Sequence, residues 1–412
     1  MISVVVIGAG QAGARFCSQL RSLGFPGRLT LIGDEPHLPY ERPALSKAAL
    51  LSEGVADYPS MQSLDYYEKN DIDLIRGKAV SGIDLQSRSV CLADHTVLDF
   101  DWLVIATGSR ARTVTVEGIA PAAIHTLRSI ENARNLNALL QPGKTATMIG
   151  GGFIGLEVAA SARARQCSAH VIEPRARLIE RVVSPFASNL LESLHKQHGT
   201  NIHLGRSIKN ARHLGERIEL TLSNGFVFET DIIVSGIGSE PNIELALNAG
   251  LECANGIVVN SECRTSDPRI YAIGDVACSV EAEKVNQPSR LESWENAEAQ
   301  AARAACSMYA AMGNPAPAMQ PQPAPWFWTD QYDLNLQIIG FPSAGDQIVL
   351  RQKKGQVQKV IAFHLENGAV CSAELFNAGK DRKTVKQLIA QSRQVDVAAL
   401  ADPDIELRTL LL

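Results

Sequence analysis

Two stretches of the chain share one pattern of apolar and polar positions. Each begins with a short unbroken apolar run, enters a glycine-rich turn, continues with helical spacing, and ends in a second apolar run closed by an acid. The first comprises the run from Ile2 to Ile7, the turn Gly8-Ala9-Gly10-Gln11-Ala12-Gly13, a helix through about Leu23, and the run Leu29 to Ile32 before Asp34-Glu35. The second comprises Ala146 to Ile149, Gly150-Gly151-Gly152-Phe153-Ile154-Gly155, a helix through about Arg165, and Ser168 to Ile172 before Glu173. Both predict a β-α-β unit. Between them, residues 89–107 predict a hairpin and then a buried strand, Trp102 to Ala106, ending in Thr107-Gly108. After the second unit, runs at 217–223 and 227–229 flank Asn224-Gly225, a hairpin turn, and the run from Asp231 to Ser235 enters Gly236-Ile237-Gly238. A helix is predicted over 292–312. Prolines between Asn314 and Pro325 mark a linker. Beyond it, short strands at 334–340, 346–352, 357–365 and 369–376 and a helix near 382–392 predict a small α+β domain.

Each glycine turn has the G-x-G-x-x-G spacing, follows a strand, opens a helix, and is followed by an acid: Glu35, 22 residues past Gly13, and Glu173, 18 residues past Gly155. That context is the dinucleotide fingerprint, and it occurs twice. Gly8, Gly10 and Gly13, and again Gly150, Gly152 and Gly155, let the backbone turn sharply and approach a pyrophosphate. The helix N-terminus offers it unpaired N–H groups and positive potential. The acid accepts from a ribose 2′-hydroxyl. Two such sites imply a prosthetic flavin and an exchangeable nicotinamide. Glu173 opposes a 2′-phosphate and favours NADH over NADPH, although Arg175 and Arg177 stand where a 2′-phosphate can be bound.

Composition narrows the function further. The 412 residues carry a net charge of −5, so nothing overall favours nucleic acid or an anionic membrane as partner. No apolar run is long enough to span a bilayer, and no export signal precedes the first strand. The eight cysteines include no C-x-x-C pair and are expected to be reduced thiols in a cytoplasmic protein. No metal set is expected: His195, His198 and His203 lack a cysteine or carboxylate at ligand spacing, which predicts a polar helix face. Between Cys17 and Cys91 there is no cysteine. Disulfide and peroxide reduction need a thiolate, which the stretch after the first glycine turn does not offer.

The segments Val6–Gly13, Ile105-Ala106-Thr107-Gly108, Gly150–Gly155 and Tyr271-Ala272-Ile273-Gly274-Asp275 resemble those of the glutathione-reductase-like flavoproteins. Pro39-Tyr40-Glu41-Arg42-Pro43-Ala44-Leu45-Ser46-Lys47, Arg290-Leu291-Glu292-Ser293-Trp294 and Pro325-Trp326-Phe327-Trp328-Thr329-Asp330-Gln331 narrow the resemblance to ferredoxin reductases serving Rieske dioxygenases or cytochromes P450. Ala44 stands where that family usually has a second proline, and the stretch from about Arg382 carries no quotable motif.

The resemblance implies an α/β protein with two Rossmann-like domains, the NAD domain (109–238) inserted in the FAD domain (1–108 and 239–320), and a small α+β interface domain from 321 to 412. It implies FAD at the first glycine turn and NADH at the second, with Ile154 and Gly238 beside the latter. Thr107, Gly108 and Asp275 would contact FAD, with Asp275 at its ribityl and pyrophosphate region. Arg42, Arg128 and Arg290 are candidates to hold its phosphate or ring oxygens. Lys47 would contact the flavin and pair with Glu157, and the helix starting near Trp294 would present its N-terminus to the flavin's pyrimidine edge. Lys47 can also be read as a solvated helix lysine. Trp326, Phe327 and Trp328 would cover the flavin, face a partner or pack between domains. Lys353-Lys354 and Lys380-Asp381-Arg382-Lys383 would steer an acidic partner or are solvated surface. The implied activity is hydride transfer from NADH to FAD and single-electron delivery to a 2Fe–2S ferredoxin. A rubredoxin reductase or a redox sensor without useful turnover would share the cofactors.

Overall fold

The computed structural model describes residues 1–52, 58–279, 290–318, 324–343, 345–353 and 359–411. The chain forms two compact units. One holds Met1–Arg42, Tyr58–Arg110 and Ser239–Gln322; the other holds Pro43–Asp57, Ala111–Gly238 and Pro323–Leu412.

The first unit is built on a parallel sheet in the order Ile270–Ala272, Trp102–Ile105, Ser3–Ile7, Arg28–Ile32, Ile72–Ile75. Strand Ser3–Ile7 has a neighbour on each side, so its carboxyl end lies at the point where the strand order reverses, the position at which open α/β sheets bind ligands. Helix Gln11–Ser22 buries Ala12, Phe16 and Leu20, a stripe at four-residue spacing. Helix Trp294–Ala311 buries Ala297, Ala301, Ala304, Ala305 and Met308 on the same side, where its small residues allow close approach. The opposite face is covered by Val90 and Leu92 of a small antiparallel sheet and by Ala246, Leu251 and Ile257.

The second unit contains the second parallel sheet, ordered Thr200–Leu204, Ser168–Glu173, Thr145–Ile149, Ile232–Ser235, Ile124–His125. Helix Phe153–Ala164 makes the crossover from Thr145–Ile149 to Ser168–Glu173. An antiparallel sheet of Ile208–Leu214, Arg217–Leu222 and Val227–Thr230 closes over Ile149, Ile172 and Ile233.

The same unit holds a C-terminal antiparallel sheet in the order Trp326–Gln331, Leu334–Ile339, Ala369–Phe376, Val360–Glu366, Gln347–Gln352. Phe363, Leu375, Val385 and Leu388 form its core under helix Arg382–Gln391. Strand Trp326–Gln331, which the sequence pattern does not predict, packs against helix Phe153–Ala164. Part of the proline-rich linker and Lys354 lie outside the described residues.

Candidate functional site

In the first unit, the turn after Ser3–Ile7 is shaped by glycines. A Cβ on Gly13 would lie 2.0 Å from Gly8 O, so only glycine allows the helix to meet the strand end here. A Cβ on Gly10 would meet nothing within 4 Å. Gly10 is the N-cap of Gln11–Ser22, with no side-chain cap and no acid in the first turn, so no side chain caps the first-turn N–H groups, which suits them to an anion.

Glu35 accepts from Tyr40 Oη and from Arg42 Nη2, both at 2.8 Å. Arg42 therefore holds the acid that follows the turn, and each carboxylate oxygen keeps a lone pair for a further donor. Thr107 and Gly108 are fixed by Asn242: Thr107 Oγ1 donates to Asn242 O at 2.8 Å, and Asn242 N donates to Gly108 O at 3.0 Å.

Asp275 sits in the short 3-10 turn Gly274–Val276, and its Oδ2 accepts from Ser109 Oγ at 3.0 Å. Arg290 is 7% exposed; its Nη1 donates to Asp275 O at 3.2 Å and pairs with Glu292. Among the described residues, its buried Nε–H has no partner, and neither has the buried Gln11 Oε1. The donor on Arg290 and the acceptor on Gln11, the first residue of the uncapped helix, fit a polar, anionic ligand with both kinds of group, as a flavin dinucleotide is. Trp294 is the first residue of its helix, half-buried, next to the N-cap Ser293.

The second unit repeats the cradle. A Cβ on Gly155 would lie 2.1 Å from Gly150 O, whereas one on Gly152 would meet only Gly236 O, at 3.7 Å. Gly152 caps helix Phe153–Ala164 without a side-chain bond. Ile154, in the first turn, is 40% exposed. Gly238 has open space around it, and its carbonyl accepts from Arg112 N at 2.9 Å.

Glu173 is buried and bonds both ways: Oε2 accepts from Gly151 N at 2.7 Å and Oε1 from Arg175 N at 2.8 Å. Arg177 is tied to Ser188 Oγ at 2.8 Å and to Val183 O at 3.2 Å, which withdraws it from a 2′-phosphate. Arg175 stays exposed, 4.0 Å from Glu180.

Lys47 and Glu157 also lie in the second unit and meet. Lys47 Nζ is 3.1 Å from Glu157 Oε1 and 3.8 Å from Asp330 Oδ2, and stands 5.9 Å from the centre of the Trp328 ring. Glu157 is 4% exposed and also accepts from Ser46 Oγ and, at 2.7 Å, from Thr329 Oγ1. Arg128 immediately precedes the capping box Ser129/Asn132 of helix Ile130–Leu139, and its N–H donates to Asn132 Oδ1 at 3.0 Å.

His195 is fully buried, not on a polar face: it continues the inward stripe Ala187–Leu191–His195 and bonds Gln331 Oε1 at 2.8 Å. His198 is exposed and stacks on Tyr332, and His203 bonds His170 at 3.1 Å. Among the described residues, no three His, Cys, Asp or Glu side chains are grouped to hold a metal, and no helix is long and apolar enough to cross a membrane. Sequence reasoning also misses Thr329, Gln331 and Glu374, all buried polar residues on strands. Trp326 stacks on Trp328 at 4.7 Å and carries Arg382 4.3 Å above its ring, which draws one member of the second basic cluster into packing.

Comparison with known proteins agrees with this geometry. Residues 2–301 match the pyridine nucleotide-disulphide oxidoreductase model, and residues 326–411 match the reductase C-terminal model. The chain is 39% identical to the probable ferredoxin reductase CtmF of Castellaniella defragrans, over 99% of this chain and 98% of that protein. It superposes on putidaredoxin reductase in its covalent complex with putidaredoxin with TM-score 0.91 and 32% identity, covering 100% of this chain and 98% of that one. The ferredoxin reductase for the CYP199A2 system of Rhodopseudomonas palustris gives TM-score 0.91 and 34% identity, with both chains fully covered. The chain thus belongs to the pyridine nucleotide-disulphide oxidoreductase family, whose members are oxidoreductases using FAD and a nicotinamide dinucleotide.

Proposed function

We propose that this chain is an NADH-dependent ferredoxin reductase, feeding electrons through a 2Fe–2S ferredoxin to an oxygenase. The observation that carries the reading is the pair of open glycine cradles at uncapped helix N-termini in a chain with no cysteine between residues 17 and 91. Two dinucleotides have places, and no thiolate stands ready to relay electrons to a disulfide. The similarity to CtmF and to two ferredoxin reductases of known structure supports the choice of acceptor.

When bound, FAD supplies the conversion of one hydride from NADH into two single electrons. The protein supplies binding, orientation and electrostatics. Gly8, Gly10 and Gly13 admit the FAD pyrophosphate to the first helix N-terminus, and Glu35, held by Arg42, receives its ribose. Thr107, Gly108, Asp275 and Arg290 contact the rest of that cofactor, and Arg128 and the helix end at Trp294 supply positive potential. Gly150, Gly152, Ile154 and Gly155 receive the NADH pyrophosphate, Glu173 reads its ribose, and Gly238 leaves its backbone accessible. Lys47, fixed by Glu157, supplies the cation that favours electron-rich flavin. We assign 1–108 and 239–320 to FAD binding, 109–238 to NADH binding and 321–412 to the acceptor side. A cytoplasmic location accords with eight free cysteines.

Anaerobic stopped-flow mixing tests the proposal. NADH should bleach the flavin absorbance within the time of one turnover, and a 2Fe–2S ferredoxin should restore it faster than oxygen does. Rapid turnover with oxygen and none with ferredoxin would reject the reading in favour of an oxidase.

A further inference from the structure

The second unit contains a chain of hydrogen bonds, half-buried at Tyr332 and buried from His195 on, that ends on Glu157. Thr200 Oγ1 lies 3.1 Å from Tyr332 Oη, and Tyr332 Oη lies 3.4 Å from His195 Nδ1. His195 Nε2 lies 2.8 Å from Gln331 Oε1, Gln331 Nε2 lies 3.0 Å from Thr329 Oγ1, and Thr329 Oγ1 lies 2.7 Å from Glu157 Oε1. Thr329, Gln331, His195 and Glu157 are each under 5% exposed.

Chemistry gives this chain one direction. Glu157 Oε1 takes the Lys47 ammonium and the Thr329 hydroxyl together, so the single proton of Thr329 goes to Glu157. Thr329 must then accept from Gln331, which turns the amide NH2 towards Thr329 and the amide oxygen towards His195. The oxygen needs a donor, so His195 carries its proton on Nε2. Burial pushes His195 down to about 4, so the ring is neutral near pH 7 and Nδ1 has a lone pair for Tyr332. The proton of Tyr332 is thereby used, and Thr200 donates to Tyr332. Each link is consistent only with the one before it, and the order collapses if Glu157 is replaced by a group that donates.

We infer that Thr329 is a positioning residue for the Lys47–Glu157 pair, itself oriented by Gln331 and His195. Strand Trp326–Gln331 thus brings two things to one place: Asp330 and Trp328 beside the Lys47 ammonium, and Thr329 on the carboxylate that holds it. The inference rests on the reading that Lys47 and Glu157 serve the flavin. It adds that the C-terminal sheet, through Thr329, sets the geometry of that pair.

A double-mutant cycle on the FAD-loaded protein tests this, read by the flavin midpoint potential and by the limiting rate of bleaching at saturating NADH. Thr329→Val keeps the shape and removes the donor. It should slow the limiting rate roughly tenfold with the NADH dissociation constant unchanged, and shift the potential in the direction in which Glu157→Gln shifts it. Thr329→Ser should restore both. In a Glu157→Gln background, Thr329→Val should change neither further. Gln331→Met, which leaves the Thr329 hydroxyl unoriented, should act in the same direction with smaller effect. If Glu157→Gln alters rate and potential but the Thr329→Val effects multiply with it independently, or Ser fails to restore them, the inference falls alone. If Glu157→Gln and Lys47→Met alter neither, the reading of the pair itself fails and the inference falls with it.

Discussion

Glu173 Oε2 accepts the Gly151 backbone N–H at 2.7 Å, so the acid ending one strand ties down the glycine turn ending its neighbour. The carboxylate therefore shapes the loop, and the proposed function gives it the choice of coenzyme as well. Glu173→Ala removes both. The kcat/KM ratio of NADPH to NADH should rise roughly tenfold, about 1.4 kcal/mol, while KM for both coenzymes rises because the loop loosens. Steady-state kinetics with each coenzyme checks this; an unchanged ratio removes Glu173 from coenzyme choice.

Gly152 and Gly155 differ in what an added side chain would meet. A Cβ at Gly152 meets only Gly236 O at ordinary contact distance, whereas one at Gly155 overlaps Gly150 O. Gly152→Ala should fold with an unchanged Tm yet raise KM for NADH roughly tenfold or more, because the added methyl fills the place of the pyrophosphate. Gly155→Ala should lose about 1–3 kcal/mol of stability in urea unfolding. Equal effects on Tm would show that Gly152 faces protein instead of ligand.

The parallel sheets and both cradles were legible because apolar runs, glycine spacing and terminal acids report directly on buried strands and tight turns. Strand Trp326–Gln331 was not, because its inward positions Thr329 and Gln331 are polar while flanking Trp326 and Phe327 remain half-buried. The binary pattern reads inverted where buried polar groups satisfy one another. His195 was misread for the same reason, although Ala187, Leu191 and His195 at four-residue spacing carried the signal. Glu374 gave no signal at all, since its partner Ser184 is 190 residues away in the chain.

Burial of neutral His195 makes the fold acid-sensitive. The unfolded side chain takes up a proton near 6.5, the folded one only at about 4. Between those values the unfolded state binds more protons, so stability rises with pH. The contribution is complete above pH 6.5 and falls by about 3 kcal/mol as the pH drops to 4. Urea unfolding at a series of pH values should show this slope. In His195→Gln the slope should shrink by one proton; a slope of the same size would assign it to other groups, with half-buried His170, also pushed down to about 4, the first to examine.

Asp275 is placed by Ser109 at 3.0 Å, and its own carbonyl receives Arg290. Asp275→Ala should be purified with most of its flavin lost, and added FAD should restore the absorbance only at concentrations well above those the unaltered protein needs. Ser109→Ala keeps the carboxylate and should retain flavin. Full occupancy in Asp275→Ala, measured from flavin and protein absorbance after gel filtration, would take this residue out of the site.

Glu374 sets the last prediction, since it is fully buried on a central strand of the C-terminal sheet and carries a carboxylate there. Its Oε1 accepts from Ser184 N and its Oε2 from Ser184 Oγ, both at 2.6 Å, and His364 Nε2 lies 3.2 Å from Oε2. Ser184 is the N-cap of helix Pro185–Gln197, so the buried carboxylate also meets the positive end of a helix dipole. Glu374→Gln would turn an amide donor towards Ser184 or towards His364 and strand at least one buried donor. It should cost about 3 kcal/mol, and Glu374→Leu about as much, because Ser184 N–H then has no acceptor. Ser184→Ala should cost less, since the backbone N–H keeps Oε1. Urea midpoints in the FAD-loaded protein should be lowest for the two Glu374 variants and intermediate for Ser184→Ala. If Glu374→Gln is instead as stable as the unaltered chain, the helix gains nothing from a carboxylate there.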